Sequence, residues 1–166
     1  MEQELILETD TLITSKTDLR GRIIYCNKDF MRYAGLMEHE LINQPHNIIR
    51  HPDMPKAIFK LLWNYVKNGK EIFAFVKNKS KNNRFYWVFA NITPSFDIEN
   101  NIISYYSIRR KPNPKAVEAI SKIYAQMQEA EQIEGANAGI RILEDLSKKF
   151  NKTYNEIIFD LQKDFQ

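Results

Sequence analysis

Cysteine is almost absent from this 166-residue chain: Cys26 stands alone. That excludes an internal disulfide framework, fits a reducing compartment and leaves Cys26 to read as a small buried apolar residue. Long apolar runs are also missing. No window approaches the roughly 18 residues a membrane-spanning helix needs, and Met1-Glu2-Gln3-Glu4 lacks the basic and apolar regions of a signal peptide. The expectation is a cytoplasmic protein with no direct membrane insertion. The excess of 24 basic over 21 acidic side chains is small and scattered, which excludes the clustered footprint of a nucleic-acid binder. There is no Gly-rich phosphate loop. The single cysteine and three histidines show neither nucleophile–base nor metal-ligand spacing, so neither an enzyme nor a metal centre is expected.

What is present is 43% apolar content, enough for one compact core plus additional elements. Residues 1–111 carry 17 basic and 12 acidic side chains and residues 112–166 carry 7 and 9, a shift that divides the chain into two regions. Leu12 to Cys26 reads as a hairpin about a turn containing Gly21. Asn27 stands at a helix N-cap, with Phe30, Met31, Tyr33 and Ala34 at helical spacing and Gly35 as the stop. A helical turn over His39 to Ile42 follows. Lys56 to Asn68 reads as a long helix with a wide apolar face, ended by Gly69. Strands are expected over Glu71–Lys77, Phe85–Thr93 and Ile102–Arg109, with turns at Asn78–Arg84 and Ser95–Asn101. In the middle strand both alternating faces are apolar, so the sheet has a second surface to bury against a partner or against the terminal helices. Beyond Lys111-Pro-Asn-Pro114, helices are expected over Lys115–Ile133, Ile140–Phe150 and Tyr154–Phe165. An interruption at Gly135–Gly139 and a Thr153/Glu156 capping box mark their limits.

The densest concentration of charge is Asn47-Ile-Ile-Arg50-His51-Pro52-Asp53-Met54-Pro55, a turn stiffened by two prolines ahead of the long helix. Taken alone it reads either as a ligand-holding turn or as an Arg50–Asp53 surface pair. Together with Asp18 to Asn27, Val76-Lys77-Asn78, Tyr86-Trp87 and Ala90-Asn-Ile-Thr-Pro94, it closely resembles the sensor PAS domains of the bacterial aerotaxis receptor family. The resemblance covers about residues 10–111.

The resemblance implies an α+β PAS fold with a five-stranded antiparallel sheet, helices on one face and C-terminal helices after it. The division is then a PAS sensor domain over 1–111 and a helical extension over 112–166. It further implies FAD as cofactor, held or shaped by Arg50, His51 and Asp53 with Asn27, Trp63 and Asn78. Asn27 reads equally as a helix cap, and Trp63 as core. The chain is similar to the soluble PAS proteins of bipartite energy-taxis systems, which work with a separate membrane-bound chemotaxis signalling partner. The terminal helices, or the sheet face bearing Phe85, Trp87 and Phe89, would make that contact or a homodimer, unless the helices only cap the sheet. Two alternatives stand beside this: a cofactor-free PAS adaptor, and a haem-binding PAS sensor ligating iron through His51 or His46. The family usually has tryptophan where Phe73 lies and glycine where Phe75 lies. Phe75 either points inward, filling space a flavin needs, or outward, enlarging an interaction surface.

Overall fold

The computed structural model describes residues 1–163; the expectation that the last helix reaches Phe165 lies outside the described residues. A short strand β1 (Gln3–Glu4) precedes the hairpin β2 (Ile13–Thr17) and β3 (Ile23–Cys26). Helices α1 (Lys28–Ala34) and α2 (Glu38–Leu41), a 3-10 turn (His46–Ile49) and helix α3 (Lys56–Lys67) follow. The strands β4 (Ile72–Ser80), β5 (Arg84–Phe96) and β6 (Ile102–Arg110) lead into α4 (Pro114–Glu134), α5 (Ala136–Phe150) and α6 (Tyr154–Gln162). Five strands form the expected antiparallel sheet, in the order β3-β2-β6-β5-β4. One strand was not foreseen: β1 pairs parallel to the start of β5, Gln3 with Arg84 and Glu4 with Phe85. Two exposed polar residues carry no strand pattern for a reader of sequence to find.

Local chemistry explains the boundaries. The Asn27 side chain accepts from Phe30 N and Gly35 ends α1 at φ 69°, so the cap and stop read from the sequence are both in place. The Thr153/Glu156 capping box opens α6 as expected. Three departures have physical causes. The turn expected at Asn78–Arg84 shrinks to residues 81–83, because Asn82 and Asn83 adopt positive φ and let β4 and β5 pair as far as Ser80–Arg84. Asn78 is consequently a buried strand residue. The interruption at Gly135–Gly139 is confined to Gly135, at φ 83°, while Gly139 is helical and packs against α3.

Along β4, Ile72, Ala74, Val76 and Asn78 are buried on the face toward α1–α3, while Phe73, Phe75 and Lys77 face the other way. Phe75 therefore points outward, away from the space beneath the sheet. Its ring meets Phe89, and Phe73 stacks on Phe89 at 5.6 Å and meets Phe159 of α6. Trp87 stacks on Tyr124 of α4, whose hydroxyl donates to Phe75 O at 2.7 Å. The second apolar face is thus buried, over β4 and β5, by the chain's own terminal helices.

These helices wrap the β4 edge and reach α3. The Glu131 carboxylate of α4 accepts from Lys56 N and Ala57 N, both at 2.9 Å, capping a helix whose own N-cap, Pro55, offers no side-chain acceptor. Gln128 donates to Pro52 O at 2.9 Å. The β4 edge itself is blocked: Phe73 N donates to Asn155 Oδ1, Lys77 N to Met54 Sδ, and His51 N to Lys77 O.

Candidate functional site

Between the inner face of the sheet and α3 lies a cavity of about 560 Å³. Alternation in β4, β5 and β6 aims Val76, Asn78, Ala90, Ile92, Tyr105 and Arg109 at it, and α3 supplies Phe59, Leu62, Trp63 and Val66. Exposed Leu19, Arg20 and Lys67 stand at its mouth. Trp63 is fixed there by an edge contact with Tyr105 at 5.5 Å and by Gly21, where any Cβ would sit 3.0 Å from the indole. Gly21 also holds φ 80°, so this turn needs glycine twice over.

Charge in the lining is of one sign. Arg20, Arg50, Lys67 and Arg109 contribute to the wall, and none of the lining residues is an aspartate or glutamate. Arg50 reaches the cavity from the proline-bounded turn, its guanidinium 3.4 Å from the Phe59 ring centroid. Its Nε is buried with no hydrogen-bond partner among the described residues, and burial lowers its pKa.

The floor is built by Arg109, 2% exposed, which donates to Ser15 Oγ at 2.6 Å and to His46 Nε2 at 3.2 Å. Arg109 also lies 4.6 Å from the Phe30 ring centroid, and its Nε is a second buried donor with no partner among the described residues. Because an arginine only donates, His46 Nε2 is the acceptor and this imidazole is neutral. Burial first, then the neighbouring Arg109 charge, pulls its pKa down to about 3. Burial likewise pulls Arg109 down to about 10, so it keeps its charge at neutral pH. Tyr86 packs nearby, and burial pushes its pKa up to about 12.

The profile of the PAS fold matches residues 23–109. The chain belongs to the PAS fold family.

Among curated relatives, the aerotaxis receptor of Escherichia coli (strain K12) is 40% identical to this PAS chain over 123 residues, covering 74% of the chain and 24% of the receptor. A nitrogen fixation regulatory protein of Klebsiella oxytoca is 25% identical over 105 residues, 63% of the chain and 21% of that protein. The chain thus spans less than a quarter of the length of these relatives. Among solved structures, a light-oxygen-voltage domain studied with a flavin analogue superposes with a TM-score of 0.60 at 19% identity, covering 69% of this chain and 87% of that one. The PAS domain of a protein from Colwellia psychrerythraea gives 0.55 at 22% identity, covering 60% and 85%. These two likenesses show the fold.

Of the six residues singled out in the sequence, the PAS cavity gathers Arg50, Trp63 and Asn78. Asn27, His51 and Asp53 do not line it. Asn27 is engaged in tying α1 to β2: its Oδ1 accepts from Thr14 N and Phe30 N, and its Nδ2 donates to Leu12 O. His51 and Asp53 leave the cavity because the turn runs along β4, where Arg50 bridges to Asn78 and the chain then turns outward. Buried His51 bonds the Glu2 carboxylate through Nε2 at 3.0 Å and accepts from Asp53 N through Nδ1. Asp53 pairs with Lys77 at 2.6 Å rather than with Arg50, and that bond holds its carboxyl below the usual carboxylate range. Arg109 and Ser15 escaped the sequence reading, and His46 entered it only as an alternative haem ligand. A signal existed: an arginine sharing its strand face with Tyr105 and with Ser107, which pairs with Ser15, is a cation placed indoors by alternation.

Proposed function

We propose that this PAS chain is a redox sensor for energy taxis that holds FAD in the cavity under its sheet and relays the cofactor's redox state to a separate membrane-bound chemotaxis signalling partner. The observation that carries the reading is the cavity's charge: among the described residues it has four cationic side chains, no carboxylate, and two buried guanidinium N–H groups without partners. Buried charges are ordinarily paired, so such a wall favours an anionic guest. A flavin nucleotide supplies phosphate charge and a group that becomes more negative on reduction. Trp63, Phe59 and Val76 would contact its rings, and Arg50, Asn78 and Arg109 its polar edge. The 40% identity to the aerotaxis receptor, and the likeness of fold to a light-oxygen-voltage domain studied with a flavin analogue, support the same choice.

Both alternatives lose their main support. The adaptor reading relied on Phe75 filling the cavity, and Phe75 faces the terminal helices instead. The haem reading needs a free imidazole. His51 lies outside the cavity, and His46 Nε2 is engaged by Arg109 and Ser15. No cluster of three or more His, Cys, Asp or Glu that could hold a metal occurs among the described residues. No helix among them is long and apolar enough to cross a membrane.

For the relay, the turn that brings Arg50 to the cavity is held by Gln128 and Glu131 of α4, so a shift at Arg50 reaches the terminal helices through named bonds. Their exposed apolar side chains, Ile133, Phe150 and Phe159, are the proposed contact for a partner or second copy. The test is a pair of variants titrated with FAD. Val76→Phe, which adds volume on the cavity wall, abolishes binding, whereas Phe75→Leu, on the opposite face, leaves it within a few-fold of the parent. Equal losses in the two would refute the assignment.

A further inference from the structure

The floor of the cavity raises a question that family likeness does not answer: why a guanidinium should be buried there at all. Arg109 is 2% exposed and has no carboxylate partner among the described residues. Its bonds to Ser15 and His46 are to neutral groups, and its Nε has none. Burying a charge costs several kcal/mol, and an apolar residue of similar volume would often serve stability as well or better. The side chain is nevertheless held rigidly, by a 2.6 Å bond to Ser15 and by the Phe30 ring. A fixed cation without an anion is arranged for a negative charge that arrives from outside the protein.

Resting on the flavin reading above, we propose that Arg109 is the positioning residue that supplies the counter-charge for the electron a bound flavin accepts. A reduced carrier gives up one electron, the flavin gains it, and the floor gives up no proton in the exchange. The groups facing Arg109 are poor proton donors near pH 7: His46 from the 3-10 turn is already deprotonated, and Tyr86 of β5 and Cys26 of β3 have raised pKa values. Ser15 of β2 and Phe30 of α1 do not titrate there. The added charge therefore stays on the guest, opposite the guanidinium. Arg50 plays a lesser part, since it rests on Phe59 and is only half-buried.

The test is the one-electron midpoint potential of the FAD-loaded full chain, followed by absorption during reductive titration. Arg109→Gln lowers the equilibrium constant for reduction at least tenfold, a negative shift of about 59 mV for one electron. Arg109→Lys, which keeps the charge, recovers most of it, and Lys77→Gln, which removes a cation from the outer face, changes nothing. A merely structural role would alter affinity or folding but not make the potential follow charge. A potential in Arg109→Gln within twofold of the parent constant would overturn the proposal while leaving the flavin reading intact; a parent protein unable to bind FAD would overturn both. Should Arg109→Gln not fold, the parent decides: its first potential stays flat from pH 6 to 8, and a tenfold change per pH unit would show that a proton, not Arg109, compensates the charge.

Discussion

Replacing Gly139 by alanine sets two well-calibrated effects against each other. In an ordinary helix interior the change stabilises by about 1 kcal/mol, because alanine is the better helix former. Here the new Cβ would press on Glu131 Oε1 and lie 2.7 Å from Ala57 Cβ, well inside the roughly 3.5–4.0 Å of a comfortable carbon contact. Relief requires α5 to move from α3 or Glu131 to leave its cap. Overpacking costs typically 1–3 kcal/mol and loss of a cap about 1 kcal/mol, against the 1 kcal/mol gained. The expected outcome is a net destabilisation of about 1–3 kcal/mol, or a fall in Tm of about 2–12 °C for a chain of this size. Urea unfolding followed by circular dichroism measures it. A stability equal to or above that of the parent would refute the close packing of α5 on α3, and with it the linkage between the terminal helices and the cavity.

Three further outcomes follow from the same contacts. Glu131→Ala, which removes the cap on α3 without adding bulk, costs about 1–2 kcal/mol in the same unfolding assay, and hydrogen exchange at Lys56 and Ala57 speeds up in parallel. Thr153→Ala breaks the capping box of α6 and costs about 1 kcal/mol, with little effect on flavin affinity because α6 lies across the sheet from the cavity. His46 has its folded pKa depressed from 6.5 to about 3, so the unfolded chain binds the extra proton across that window. Stability therefore falls as pH drops below 6.5, by no more than about 1.4 kcal/mol per unit from this group. His46→Gln, which keeps an acceptor for Arg109, flattens the slope between pH 6 and 4.5, and an unchanged slope would show that His46 is not held neutral.

The succession of strands, α3 and the helical tail were legible because each is announced by periodicity and punctuation: Asn27 and Gly35 around α1, Gly69 after α3, Thr153 before α6. The apolar double face of β5 also announced that something must cover it. The site was legible only in part, since the turn that concentrates charge sends its charges to opposite sides. Arg50 goes to the cavity and His51 and Asp53 to the outer face, a division set by the bridge between Arg50 and Asn78 and by the Glu2 and Lys77 partners, all distant in sequence. Asn78 looked like a turn residue because asparagine favours turns, yet Asn82 and Asn83 take that role two turns of pleat later. The direction of Phe75 follows from alternation with Ala74 and Val76 once the inward face is known, and the inward face is fixed by contacts with α3 that no local pattern encodes.

The central claim is that the cation-lined space beneath the sheet holds a flavin that changes charge on reduction. The most direct measurement is the visible absorption spectrum of the purified chain, reconstituted with FAD and freed of excess, before and after anaerobic reduction. The account predicts flavin bands at near one cofactor per chain, bleached on reduction, restored by air and lost in Val76→Phe. A protein that remains colourless after reconstitution, or that shows a haem Soret band instead, would contradict it.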